Sequence, residues 1–131
     1  MADTAITVRR AFGNDIHLLT WQQTAALTAT ADKWQWVIPF PARIVDVICN
    51  SETAGSGGVS DIVDVHLNGT TIYTTQANRP TLLVADTGMF TEAGEPEVVV
   101  LRTGDILSVD VDQIATTGSA LFSITIIVVR R

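Results

Sequence analysis

Apolar and polar positions alternate along most of this chain from residue 33 onward. Trp34, Trp36 and Ile38 alternate with Gln35 and Val37, and then Pro39-Phe40-Pro41 breaks the run. A proline has no N–H to donate to a ladder, so that break belongs at a strand end or edge. Ile44, Val45, Val47 and Ile48 predict the next strand, with Asp46 between them. The clearest element is Asp61 to Thr75. Ile62, Val63, Val65 and Leu67 lead into Asn68-Gly69, and Thr70, Thr71, Ile72 and Tyr73 lead out. Asn-Gly accepts positive φ at both central turn positions, which predicts a β-hairpin closed by a type I′ turn.

The later strands follow the same period of two. Thr81 to Ala85, Glu97 to Leu101, Ile106 to Ile114 and Ala120 to Val129 are predicted strands, with Thr103-Gly104-Asp105 a turn. Asn50 to Ser60 and Asp86 to Pro96 read as long exposed loops. That is about eight strands from residue 33, with turn signals about every 8–12 residues. The fold expected is all-β: a jelly-roll-like antiparallel β-sandwich, with an immunoglobulin-like sandwich as the runner-up. The last strand is apolar on nearly every position after Ser123, so it is expected to be central or covered by another subunit.

Residues 1–32 differ from the rest. Thr4 to Arg10 suits one short strand, Gly13-Asn14-Asp15 a turn, and Thr20 to Asp32 shows little alternation. The expected organisation is an extended N-terminal arm, 1–32, and a β-sandwich domain, 33–131. The arm either wraps its own sandwich or reaches a neighbour; the other reading of the segment is a loosely packed first strand plus loop.

Composition narrows the function classes. The chain has 131 residues, enough for one domain with its own core. Val, Ile and Thr make up about a third of it, which suits a pleated surface. The net charge is −6, and Lys33 is the only lysine. Phosphate affinity comes from Lys and Arg, so nucleic acid is not an expected partner. Arginine pairs occur only at the ends, Arg9-Arg10 and Arg130-Arg131. They are either solvated termini or contacts to an acidic neighbour. Cys49 is the only cysteine, which precludes an intrachain disulfide, and its apolar setting marks a buried small side chain. No signal peptide or membrane span is expected, since the longest C-terminal apolar run, Ile124 to Val129, is far too short.

Catalytic chemistry has little support. His17 and His66 lie far apart with no ligand partner at metal-binding spacing. Alternation puts His66 on one face with Asp64, which suits a polar pair on a solvated face. Asp46, Asp64, Asp110 and Asp112 all fall inside strands between apolar neighbours. They either form a solvated outer face that blocks edge aggregation or gather into an oxygen-rich cluster of the kind that takes Ca²⁺. Nothing in their spacing selects a glycosidase pair. Trp21, Trp34, Trp36 and Tyr73 are candidates for a sugar-stacking platform or for core and interface anchors.

Four phrases carry a resemblance. They are Pro39-Phe40-Pro41-Ala42-Arg43-Ile44-Val45-Asp46-Val47, Val63 to Tyr73, Gln76-Ala77-Asn78-Arg79-Pro80-Thr81, and Gly104 to Ile114. Together they resemble small structural proteins of tailed bacteriophages and prophages, over about residues 33 to 129. The resemblance implies a non-enzymatic virion component with a jelly-roll-like sandwich. Its expected role is capsid decoration (cement): a homotrimer that stabilises the major capsid shell, made in the host bacterial cytoplasm and placed on the capsid surface. The alternative is a head-fibre, tail or receptor- and glycan-binding module. No catalytic residue, cofactor or metal is implied. The candidate capsid-contact residues of the arm are Arg9, Arg10 and Trp21. The candidate subunit interface is Trp34, Trp36, Ile124, Ile126 and Val128. The expected partners are the chain itself and the major capsid protein, with no nucleic acid and no membrane.

Overall fold

The computed structural model describes residues 15–84, 89–90 and 94–131. Arg9, Arg10 and the strand expected at Thr4 to Arg10 lie outside the described residues. The strands are β1 (Ile16–Gln23), β2 (Thr30–Val37), β3 (Ala42–Thr53), β4 (Asp61–Leu67), β5 (Thr70–Thr71), β6 (Thr81–Leu82), β7 (Met89–Phe90), β8 (Val100–Leu101), β9 (Ile106–Gln113) and β10 (Ala120–Arg130). One 3₁₀ turn, Gln76–Asn78, interrupts them, and no α-helix occurs among the described residues.

The strands form two antiparallel sheets. One runs β1-β10-β3-β7, with β8 also paired to β3; the other runs β2-β9-β4-β5, with β6 also paired to β4. The first strand therefore pairs with the last, the second with the next to last, and β3 and β4 with the short strands between. This is a long antiparallel ribbon rolled into a sandwich, the jelly-roll arrangement. It rules out the immunoglobulin-like alternative, in which the first strand would share a sheet with its neighbours in sequence.

The hairpin turn has the geometry that its sequence demands. Asn68 has φ 50° and Gly69 φ 86°, both left-handed, as a type I′ turn needs. The Asn68 amide ties this turn to another: its Nδ2–H donates to Asp105 at 3.0 Å, and its Oδ1 accepts from the Ile106 N–H at 2.9 Å.

The core lies between the sheets. Ile44, Val47 and Cys49 of β3 and Phe122, Ile124, Ile126 and Val128 of β10 meet Val63 and Val65 of β4 and Leu107, Val109 and Val111 of β9. Inward residues recur at every second position, except that Ile44 and Val47 lie three apart across the register shift of β3.

One boundary is corrected. Ile16–Gln23, expected in an arm, pairs with β10 in unbroken register over its whole length. The sandwich therefore begins at β1, not at residue 33. The segment hid because Ile16 and Leu18 face outward while Leu19 and Trp21 share the inward face, so apolar residues occupy both parities. The loop expected at 50–60 is also shorter: β3 runs to Thr53, and Gly55 is buried.

Candidate functional site

The main cluster of ionisable groups lies on the outer face of the β2-β9-β4 sheet. Val63 and Val65 point inward, so Asp64 and His66 point outward on β4. Asp64 stands opposite Asp110 of β9, and His66 opposite Ser108. The His66 Nε2 lies 3.3 Å from Asp64 Oδ2 and 3.4 Å from Asp110 Oδ2. The remaining oxygens are engaged. Asp64 Oδ1 accepts from the Thr71 hydroxyl at 2.7 Å and the Val65 N–H at 2.8 Å. Asp110 Oδ1 accepts from the Asp32 N–H at 2.7 Å. Asp32 has φ 48° and sits where the β2–β9 register shifts, so the bulge aims that N–H at the carboxylate.

This face is not the solvated one expected. Asp64 and Asp110 are both buried, under Thr71 and the β2 bulge. Burial pushes the Asp64 carboxyl above its ordinary value; the Thr71 bond and the His66 ring oppose that, and nearby Asp112 adds to it. Asp112 is exposed and ion-paired with Arg79 at 2.6 Å, and Asp46 is exposed on the other sheet. The four aspartates therefore do not form one cluster.

The arrangement suits a clip more than a reaction centre. A ring N–H between two carboxylates ties β4 to β9, and Thr71 and Asp32 bring in β5 and β2. A general base would need a cleft beside it. A groove of about 720 Å³ is lined by Arg43, Val45, Glu95, Glu97, Val129 and Arg131 among others, and its strand residues belong to the other sheet. Among the described residues, no group of three or more His, Cys, Asp or Glu side chains is arranged to hold a metal ion.

A second carboxylate closes one end of the sandwich. Asp61 is buried, and accepts from the Ala115 N–H at 2.6 Å and the Ser119 N–H at 2.8 Å. Cys49 is fully buried, and burial pushes its thiol far above the ordinary range, which leaves no thiolate nucleophile.

The aromatic and strand candidates separate. Trp34 is 5% exposed, stacked on Phe122 at 5.8 Å between ring centres, and Tyr73 is fully buried. Neither can stack on a sugar, so the four-ring platform does not exist. Trp36 is half-buried against the core. Trp21 is exposed at the sheet edge, tilted against Trp34 at 5.4 Å. Ile124, Ile126 and Val128 are buried in their own sandwich. Together with Trp34 they cannot be a subunit interface, because the facing sheet already covers them.

The apolar last strand predicted cover on the opposite face of that same sheet, but the β1 and β3 residues beside it were not singled out from the sequence. Ile16, Leu18 and Val45 are 59%, 62% and 55% exposed, and Ile48, Ile127 and Val129 lie half-buried among them. The signal was present: toward its C-terminal end β10 is apolar at the odd-numbered Ile127 and Val129 as well as at the even-numbered Ile126 and Val128. Compared with known proteins, the chain matches no protein-family model and no curated protein.

Proposed function

We propose that this chain is a non-enzymatic structural protein of a phage virion, a capsid decoration (cement) protein that self-associates, as a homotrimer, and stabilises the major capsid shell. One observation carries the reading. The polar residues of the phrases that resemble phage structural proteins bond to one another and to nearby backbone. Asn68 bonds Asp105, Arg79 bonds Asp112, and the Gln76 amide donates to the Tyr73 carbonyl at 2.7 Å. Residues used in this way build a rigid module and leave no reaction centre. A shell component needs that rigidity, and binding only to the assembled shell stabilises the shell by mass action.

Arg9 and Arg10 are the residues proposed to reach the capsid protein. The test is co-sedimentation of the full chain with expanded empty capsids of the phage or prophage that encodes it. Saturable pelleting with the capsids is expected, and loss of binding in an Arg9→Glu, Arg10→Glu double variant. A chain that stays in the supernatant at every capsid concentration sinks the decoration reading. Of the four rings Trp21, Trp34, Trp36 and Tyr73, Trp21 is exposed. Binding to host polysaccharide without binding to capsids would put the fibre or tail module in its place.

A further inference from the structure

The outer face of the β1-β10-β3 sheet is apolar at one end and polar at the other. Ile16 pairs with Val129 and Leu18 with Ile127. The same rows continue through Arg43 and Asp46 on β3, and Arg43 pairs with the exposed Val100 of β8. Val45 is the extra residue at the register shift and also projects outward, 55% exposed. Further along, the rows turn mostly polar: Thr20 with Thr125, which then meets Ile48, Gln22 with Ser123, and Ser123 with Asn50. An antiparallel sheet with one free face ordinarily carries polar residues there. A contiguous apolar patch rimmed by polar residues marks an association surface instead.

We propose that a second copy of this chain covers this face, with Ile16, Leu18, Val45, Ile127 and Val129 at the centre of the contact. The inference deepens the self-association part of the reading above and rests on it, while capsid binding is read separately. Two observations favour a copy of the chain over other occupants. The first is charge. The patch and the adjoining groove carry Arg43 and Arg131 together with Asp46, Glu95 and Glu97. A locally mixed surface offers both signs of charge to another copy of the chain, whereas nucleic acid or an anionic membrane needs a uniformly basic one. It also lets two chains of net charge −6 approach without like-charge blocks in contact.

Area bounds the strength of the contact. β1, β10 and β3 at about 4.8 Å spacing and about eight residues at about 3.4 Å rise give a face of about 10 Å by 27 Å, which the two-residue strands β7 and β8 widen only at its ends. That is less than the ~800 Å² that each partner gives to a standard interface and falls in the range of weaker, reversible contacts. The second observation is the neighbouring edge. Among the described residues β1 ends its sheet; it pairs with β10 through eight residues without a bulge, and its sequence, Ile-His-Leu-Leu-Thr-Trp-Gln-Gln, holds no Lys, Pro, Asp or Glu. Edges open to water ordinarily carry such blocking residues. Their absence beside the apolar patch fits an edge that lies within an assembly.

The experiment is sedimentation equilibrium of the full chain, alone, across the micromolar range. The wild type is expected at a small multiple of 14.1 kDa. Leu18→Asp and Ile127→Asp should each raise the dissociation constant by at least about 100-fold, since each buries a carboxylate in the contact. Val37→Asp alters a residue 66% exposed on the other sheet and should leave the mass unchanged. Circular dichroism and melting check each fold, and Leu18→Ser replaces Leu18→Asp if that variant unfolds. A monomeric wild type, or variants as associated as the wild type, overturns the proposal. Folded monomeric variants that still pellet with capsids would uphold the contact and the decoration reading together. An associated wild type that ignores capsids would uphold the contact and remove the decoration reading.

Discussion

Asp64 on β4 faces Asp110 on β9 across one ladder step, and the His66 Nε2 lies 3.3 Å from the first and 3.4 Å from the second. Two buried carboxylates side by side are unfavourable unless protons or a cation offset them. Here one imidazole serves both, and backbone N–H groups take the remaining oxygens.

That relationship has a pH signature. Burial holds the Asp64 carboxyl above its ordinary 3.8, so the folded chain binds this proton more tightly than the unfolded chain. The stabilisation from this group is present below 3.8 and is lost as pH rises through the raised value. Asp64→Asn removes the titration, while its amide oxygen still accepts from Thr71 and Val65. Relative to wild type, the variant should therefore gain stability as pH rises from about 4 to 7 in urea unfolding. A variant that instead loses stability over that interval would show that the charged carboxylate is a net asset.

Asp61 joins three segments that are remote in sequence. Its two oxygens hold the Ala115 and Ser119 N–H groups, and the Ser119 hydroxyl accepts from the Gly55 N–H at 3.2 Å. Asp61→Asn turns one acceptor into a donor aimed at an N–H. Denaturation midpoints should fall by an amount equal to about 2–3 kcal/mol, with proteolysis appearing first at the 54–60 loop. A loss under about 0.5 kcal/mol would contradict the role given to this carboxylate.

Asn68 does more than shape its own turn. Its side chain bonds Asp105 and the Ile106 N–H, and the Arg102 N–H donates to Asp105 at 2.8 Å. That backbone bond, then the Asn68 bond, holds the Asp105 carboxyl below its ordinary value. This contribution is present above the ordinary value and is lost as pH falls through the depressed one. Asn68→Gly keeps the positive φ but deletes the latch. It should cost about 1–2 kcal/mol at pH 7 and less near pH 3, by urea titration at both. An equal loss at both values would disconnect the turn from Asp105.

The Tyr73 hydroxyl is buried with no hydrogen-bond partner among the described residues. Burial, and then the surrounding Cys49, Asp64, Asp46 and Glu97, pushes its ionisation far above the ordinary range. Tyr73→Phe removes an unsatisfied polar group and keeps the ring. The variant should be more stable by about 1 kcal/mol in thermal or urea unfolding. A loss of that size would mean that the hydroxyl has a partner.

Local chemistry determined the parts of this fold that depend on near neighbours. Asn68-Gly69 demanded left-handed backbone, and the alternation through Val109, Asp110, Val111 and Asp112 demanded a strand with two unlike faces; both are found. The jelly-roll class also followed from the number and spacing of such strands. Tertiary structure alone decided which strands meet. Only the β4–β9 register brings Asp64 against Asp110, and pairing across a ladder leaves no trace in sequence spacing. Burial was likewise a tertiary decision. The apolar residues of β10 pointed to cover on both faces, but which face meets the opposite sheet depends on a one-residue phase. That phase puts Ile124, Ile126 and Val128 in the core, and leaves Ile127 and Val129 on the outer face with Leu18 of β1.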